Sequence, residues 1–117
     1  MLDVEDGQKT VVGPFVILKE RGQVFFDDPG TRAVTEISLS KTPRRLFCYL
    51  LEAGRSVTRG EILVDVLSDR ADHVGNVIDV HINNIRRELE RVTGNDRWIV
   101  TIRRVGYKFD PNPPPEA

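Results

Sequence analysis

NVIDVHINNIRRELERV, Asn76 to Val92, carries Ile78, Ile82, Ile85, Leu89 and Val92 at spacings of four, three, four and three. That recurrence is one apolar stripe on a 3.6-residue helix, and the stripe must face a core. Opposite it fall Asn76, Val80, Asn83, Asn84, Arg87 and Arg91. Two adjacent amides beside two guanidinium groups and an isolated valine are an unusual load for a merely solvated face. Amides pair bidentately with an adenine edge, arginine with guanine or phosphate, and a small apolar group meets a thymine methyl. The helix therefore predicts a surface for reading the edges of a duplex.

After Gly94, a plausible helix stop, RWIVTIRRVGYKF follows as a β-hairpin. Its tip holds Arg103 and Arg104, with Lys108 on the return strand. Cations there suit a phosphate or a narrow minor groove. A helix followed at once by a basic hairpin reads as a recognition helix and its wing.

Composition narrows the alternatives. A chain of 117 residues holds one domain with one core. The net charge of −1 gives no basic total to argue from, but its distribution does. Residues 76–109 hold seven Lys/Arg against four Asp/Glu, whereas residues 1–40 hold four against seven. The one cysteine, Cys48, excludes an internal disulfide and reads as a small buried apolar residue in LFCYLL. No apolar run approaches the ~18 residues that span a bilayer, so a soluble, cytoplasmic protein is expected. The two histidines, His73 and His81, lack further ligands at metal-binding spacing, and the carboxylates are scattered over helix surfaces or paired with arginines, as Glu88 with Arg91 in an ordinary helix surface pair. No metal, cofactor or catalytic role is expected.

Upstream, residues 1–10 read as a flexible lead-in and residues 11–18, VVGPFVIL, as a strand. Glu20–Gly22 turns into a strand over Gln23–Phe26, and Asp27-Asp28-Pro29-Gly30 is a turn leading to a third strand near Val34–Leu39. A first helix runs from Ser40 to Gly54, with Thr42 as cap, Pro43 at its first position, and Leu46, Phe47, Leu50 and Leu51 facing the core. Arg44 and Arg45 stand at the wrong end for the helix dipole, a weak sign of a phosphate-facing role. Thr58-Arg59-Gly60-Glu61 fits a capping box opening a second helix, with Ile62, Leu63, Val66 and Leu67 inward. Residues 68–75 form a polar loop, and residues 110–117, DPNPPPEA, an extended tail read as a frayed end.

The order of these elements resembles the winged helix-turn-helix effector domain of OmpR/PhoB-type transcriptional regulators over residues 11–109. VIDVHINNIRREL and IVTIRRVGYKF match that family's recognition helix and wing, and VTRGEIL the start of its second helix. The resemblance implies an α+β winged helix-turn-helix, with an N-terminal antiparallel sheet, three helices and a C-terminal hairpin wing. It implies a transcription regulator binding double-stranded DNA, the helix in the major groove and the wing at the minor groove. Val80, Asn83, Asn84 and Arg87 would then face bases or nearby backbone, with Arg91 on the same face. His81 and Arg86 would meet phosphate, and Thr101, Arg103 and Arg104 would meet backbone and minor groove. Loop 68–75 corresponds to a segment that touches RNA polymerase in some members, and tandem binding as a dimer is implied. In typical response regulators of two-component phosphorelay systems a receiver domain precedes this module. None is expected in these residues, so the chain reads as an excised effector domain, a stand-alone regulator or part of a longer protein. The sequence departs from the family at Arg104, where glycine is usual, at Leu67, where tryptophan is frequent, and at Asn83 and Asn84, where many members carry arginine. The competing function is a winged-helix protein-interaction module without sequence-specific DNA binding.

Overall fold

The computed structural model describes residues 9–67 and 77–115. Strands β1 (Lys9–Val12), β2 (Phe15–Leu18), β3 (Gln23–Asp27) and β4 (Val34–Glu36) form an antiparallel sheet in that spatial order. The apolar run expected as one strand is in fact two. Val12 pairs with Phe15 across a two-residue turn, and Gly13 takes φ +57°, a conformation that glycine reaches without strain. Continuous hydrophobicity hid the reversal, and Lys9 and Thr10, expected in the lead-in, belong to β1.

Helix α1 (Lys41–Ala53) follows. Its N-cap is Ser40 rather than Thr42, and the Ser40 side chain makes no capping bond. Pro43 sits in the third helical position, where its missing N–H costs nothing because the first turn has no internal acceptor. Strand β5 (Val57–Thr58) leads into α2 (Arg59–Asp65), whose capping box is complete: Glu61 N–H donates to the Thr58 hydroxyl, and Thr58 N–H to the Glu61 carboxylate. Val66 and Leu67 are buried as expected, though just beyond the helix end.

Helix α3 spans Val77–Thr93, then β6 (Ile99–Ile102) and β7 (Gly106–Phe109) make the hairpin. Strand β7 lies between β5 and β6, so the wing is the larger part of a three-stranded sheet. Gly106 makes that pairing possible, since a Cβ there would fall 1.9 Å from the Val57 carbonyl oxygen. One core joins both sheets to the helices. Phe15 is fully buried, with its ring 5.0 Å from Trp98, 5.3 Å from Phe47, 5.4 Å from Phe26 and 5.7 Å from Phe109, mostly edge-to-face. Helix α3 and the hairpin thereby share one core.

The tail does not fray over its described part. Asn95 Nδ2 donates to the Pro114 carbonyl at 2.9 Å, Asp110 N–H to the Trp98 carbonyl at 2.7 Å, and Pro111 packs beside Gly13. Proline supplies carbonyl acceptors while losing little conformational freedom, which is why this segment can lie along the surface.

Candidate nucleic-acid interface

On α3 the apolar stripe behaves as its periodicity dictates: Ile78, Ile82, Ile85 and Leu89 are buried and Val92 is half-buried against the core. Val80 is 51% exposed on the outer face. Asn83, Arg87 and Arg91 are exposed beside it, and Asn84 is half-buried. Asn84 and Arg87 line the wall of a cleft of about 570 Å³, whose other side is Ser38, Ser40 and Pro43 at the start of α1. Asn76 and loop 68–75 lie outside the described residues.

Five positions differ from their sequence reading. Both ring nitrogens of His81 are buried and have no hydrogen-bond partner, so this side chain presents no polar atom to a phosphate. Arg86 is turned onto the wing: its Nε and Nη2 donate to the Ile99 carbonyl at 3.2 and 2.8 Å, and Nη2 donates to Thr101 Oγ1 at 2.9 Å. The donors expected to meet phosphate are thus largely committed within the domain. Arg44 lies against the N-terminal sheet, near Gly22, with Nη1 donating to the Leu39 carbonyl at 3.4 Å. It does not stand beside α3. Cys48 is half-buried rather than buried, and burial raises its thiol to about 11, which keeps it protonated and unreactive at neutral pH.

Glu88 was expected in a solvated surface pair with Arg91. Instead it is only 8% exposed. Arg91 clamps it with two bonds of 2.8 Å, and the backbone N–H of Ser38 donates to the same carboxylate. The Arg91 bonds, with help from Ser38, hold the Glu88 carboxyl below the usual range against the opposing effect of burial. Arg91 remains 60% exposed while it makes this pair, so its outer face still adds positive charge to the helix surface.

A second polar cluster joins α2, α3 and β7. Tyr107 donates to Asp79, and Arg59 Nη1 donates to Asp79 at 2.8 Å and to the Tyr107 oxygen at 3.3 Å. The Tyr107 bond, then Arg59, keeps the Asp79 carboxyl low, while burial and then Asp79 push the Tyr107 phenol up. Asp79 stands in the first turn of α3, as its charge favours, but its partners are 20 and 28 positions distant and left no periodic signal.

At the wing tip Ile102 to Val105 form a turn closed by Val105 N–H donating to the Ile102 carbonyl at 2.9 Å. Arg104 occupies its third position with φ +67°, where glycine is the unstrained choice. Arg103 and Arg104 are exposed there, Lys108 projects from β7, and Thr101 is exposed on β6. Exposed cations at the wing tip and amides on α3 suit a polyanion with readable edges better than an enclosed small-molecule site. Among the described residues no group of three His, Cys, Asp or Glu could hold a metal ion, and no helix is long and apolar enough to cross a membrane.

Comparison with known proteins agrees with this architecture. The model of the family described as transcriptional regulatory protein, C terminal, matches residues 34–109. The response regulator MprA of Mycobacterium sp. (strain KMS) is 39% identical over 92 residues, covering 74% of this chain and 40% of that protein. This chain therefore spans about two fifths of the length of that relative. The transcriptional regulatory protein YvrH of Bacillus subtilis (strain 168) is 47% identical over 38 residues, 32% of this chain and 16% of YvrH. Among solved structures, the DNA binding domain of CpxR from E. coli superposes with a TM-score of 0.67 at 27% identity, covering 86% of this chain and 94% of that one. The DNA binding domain of AdeR, in complex with an intercistronic region, gives 0.74 at 20% identity, covering 86% and 97%. The Klebsiella pneumoniae RstA DNA-binding domain, in complex with the RstA box, gives 0.69 at 23%, covering 90% and 99%. The last two likenesses establish the fold alone.

Proposed function

This chain belongs to the family of transcriptional regulatory protein C-terminal domains, and on that premise we propose that it binds double-stranded DNA in a sequence-dependent way, as the effector module of a transcription regulator. One observation carries the reading. Val80, Asn83 and Arg87 are exposed together on the outer face of α3, whose buried face shares one core with the hairpin that exposes Arg103 and Arg104. The relatives described as response regulators and the CpxR DNA binding domain support it by likeness.

In this reading α3 enters the major groove. Val80, Asn83, Asn84 and Arg87 face base edges, the valine against a thymine methyl and the amides toward adenine. Arg91 lends charge at the groove wall, while Thr101, Arg103 and Arg104 meet backbone and minor groove. Phosphate contacts set affinity and orientation, and the α3 face sets sequence. The domain does no chemistry in this scheme and acts by occupying a site. We propose further that it works in the cytoplasm, within a two-component phosphorelay, as a tandem pair on repeated half-sites, with residues 68–75 facing RNA polymerase.

Selection of bound sequences from a random duplex pool tests the proposal. A recurring motif should emerge, and affinity for it should fall by orders of magnitude between about 50 and 200 mM salt. No enrichment, with binding of a protein partner through the α3 face instead, would make the domain an interaction module.

A further inference from the structure

The guanidinium of Arg86 lies between the recognition helix and the wing. It donates from Nε and Nη2 to the Ile99 carbonyl at 3.2 and 2.8 Å, and from Nη2 to Thr101 Oγ1 at 2.9 Å. Ile99 and Thr101 both belong to β6, so one side chain of α3 holds two alternate residues of the wing's outer strand, the buried Ile99 through its carbonyl and the exposed Thr101 through its hydroxyl. The planar fork explains the choice of residue: several donors in fixed geometry span both acceptors, which an ammonium cannot do in the same orientation.

A hydroxyl has one proton and two lone pairs. Because the Thr101 oxygen accepts from Arg86, its own proton is left to point elsewhere, and Thr101 is exposed. We propose that Arg86 is a positioning residue for DNA binding: it acts through Thr101, orienting the hydroxyl so that its proton donates outward to a backbone phosphate, and it fixes the wing at a set angle to α3. This rests on the DNA-binding reading above. The second tie, Tyr107 to Asp79, holds β7 to the first turn of α3, so each strand of the wing is bound to the recognition helix by its own polar link. The wing and helix then meet a duplex as one preorganised unit, which lowers the ordering cost of binding.

The test uses the selected duplex, a salt series and three variants. A positioning role predicts that Arg86→Lys, which keeps the charge, weakens binding by about fivefold or more. Thr101→Val should weaken binding about fivefold, with the log–log salt slope unchanged because a neutral donor releases no counterion. The double variant should bind no worse than Arg86→Lys alone, since the two act in series. Wild-type binding by Arg86→Lys, or a Thr101→Val loss that simply multiplies the Arg86→Lys loss, overturns the proposal in favour of a direct phosphate contact by Arg86. If Arg86→Lys melts before binding is measured, Thr101→Val decides alone: it lies on the exposed surface, and binding equal to wild type overturns the proposal. Failure of the wild-type domain to bind any duplex would instead sink the DNA-binding reading itself.

Discussion

The carboxylate of Glu88 on α3 accepts the backbone N–H of Ser38, fifty positions earlier in the chain, and so ties the recognition helix to the segment that enters α1. Ser38 itself is exposed, so water can take up its N–H once the carboxylate is gone, and the loss is that of a charge-assisted bond, about 1–2 kcal/mol. Glu88→Ala should therefore destabilise the domain by about that amount, and Glu88→Gln by less, because an amide oxygen still accepts. Urea unfolding of the two variants checks the order.

Acid stability follows from the same group and two others. Glu88 is held below the usual carboxylate range chiefly by Arg91, Asp79 chiefly by Tyr107, and Glu61 is lowered to about 2 chiefly by Arg55. A carboxyl whose folded pKa is depressed contributes stability above its unfolded pKa, and that contribution disappears as pH falls through the folded value. The domain should thus keep its melting temperature down to about pH 5, then lose stability progressively toward pH 2. A flat melting temperature over that range would remove these three pairs from the stability of the fold.

Gly106→Ala tests the seam between β5 and β7. A methyl placed 1.9 Å from the Val57 carbonyl oxygen meets backbone, not a movable side chain. The strands must part, and the wing sheet loses its third member. Destabilisation of about 3 kcal/mol or more is expected, among the larger effects of a single small substitution. Thermal unfolding with retained α3 helicity in the surviving folded fraction measures it.

Much of this is legible in the sequence. The α3 stripe, the Thr58–Glu61 capping box and the hairpin are local patterns, and each formed where its period or spacing required. The resemblance named the fold from the same residues. The break at Gly13-Pro14 was obscured because apolar residues run through both strands of a tight hairpin. The partners of Arg86 and Asp79, and the Ser38 N–H that Glu88 accepts, are invisible for another reason: they lie 13 to 50 positions away, and no periodicity encodes such pairs. One hint existed. Glu88 follows Ile85 by three positions, on the edge of the buried stripe, and a carboxylate there needs a partner. His81 carries the same sign, three positions after Ile78, and the packed helix shuts its ring nitrogens away.

Asn84→Ala separates base reading from general attraction. The half-buried amide lines the same cleft as Arg87 on α3. If it pairs with a base edge, its loss should cost about 1–3 kcal/mol on the selected site and leave binding to unrelated DNA unchanged. Competition titrations against both duplexes measure the difference, and equal losses on each would remove Asn84 from sequence recognition.

Arg104 sets stability against binding at one position. A non-glycine residue at φ +67° carries a cost of about 1 kcal/mol, and its side chain is exposed, with no partner in the turn that would justify it structurally. Arg104→Gly should therefore leave the melting temperature equal or slightly higher. The same change removes a cation from the wing tip, so DNA affinity should fall on every sequence and the log–log salt slope should flatten by about one unit. Arg103→Ala should flatten the slope similarly, yet without any gain in stability, because its backbone is unstrained. If Arg104→Gly bound DNA as wild type with an unchanged slope, the strained turn would have no electrostatic purpose and the wing tip would lie away from the duplex.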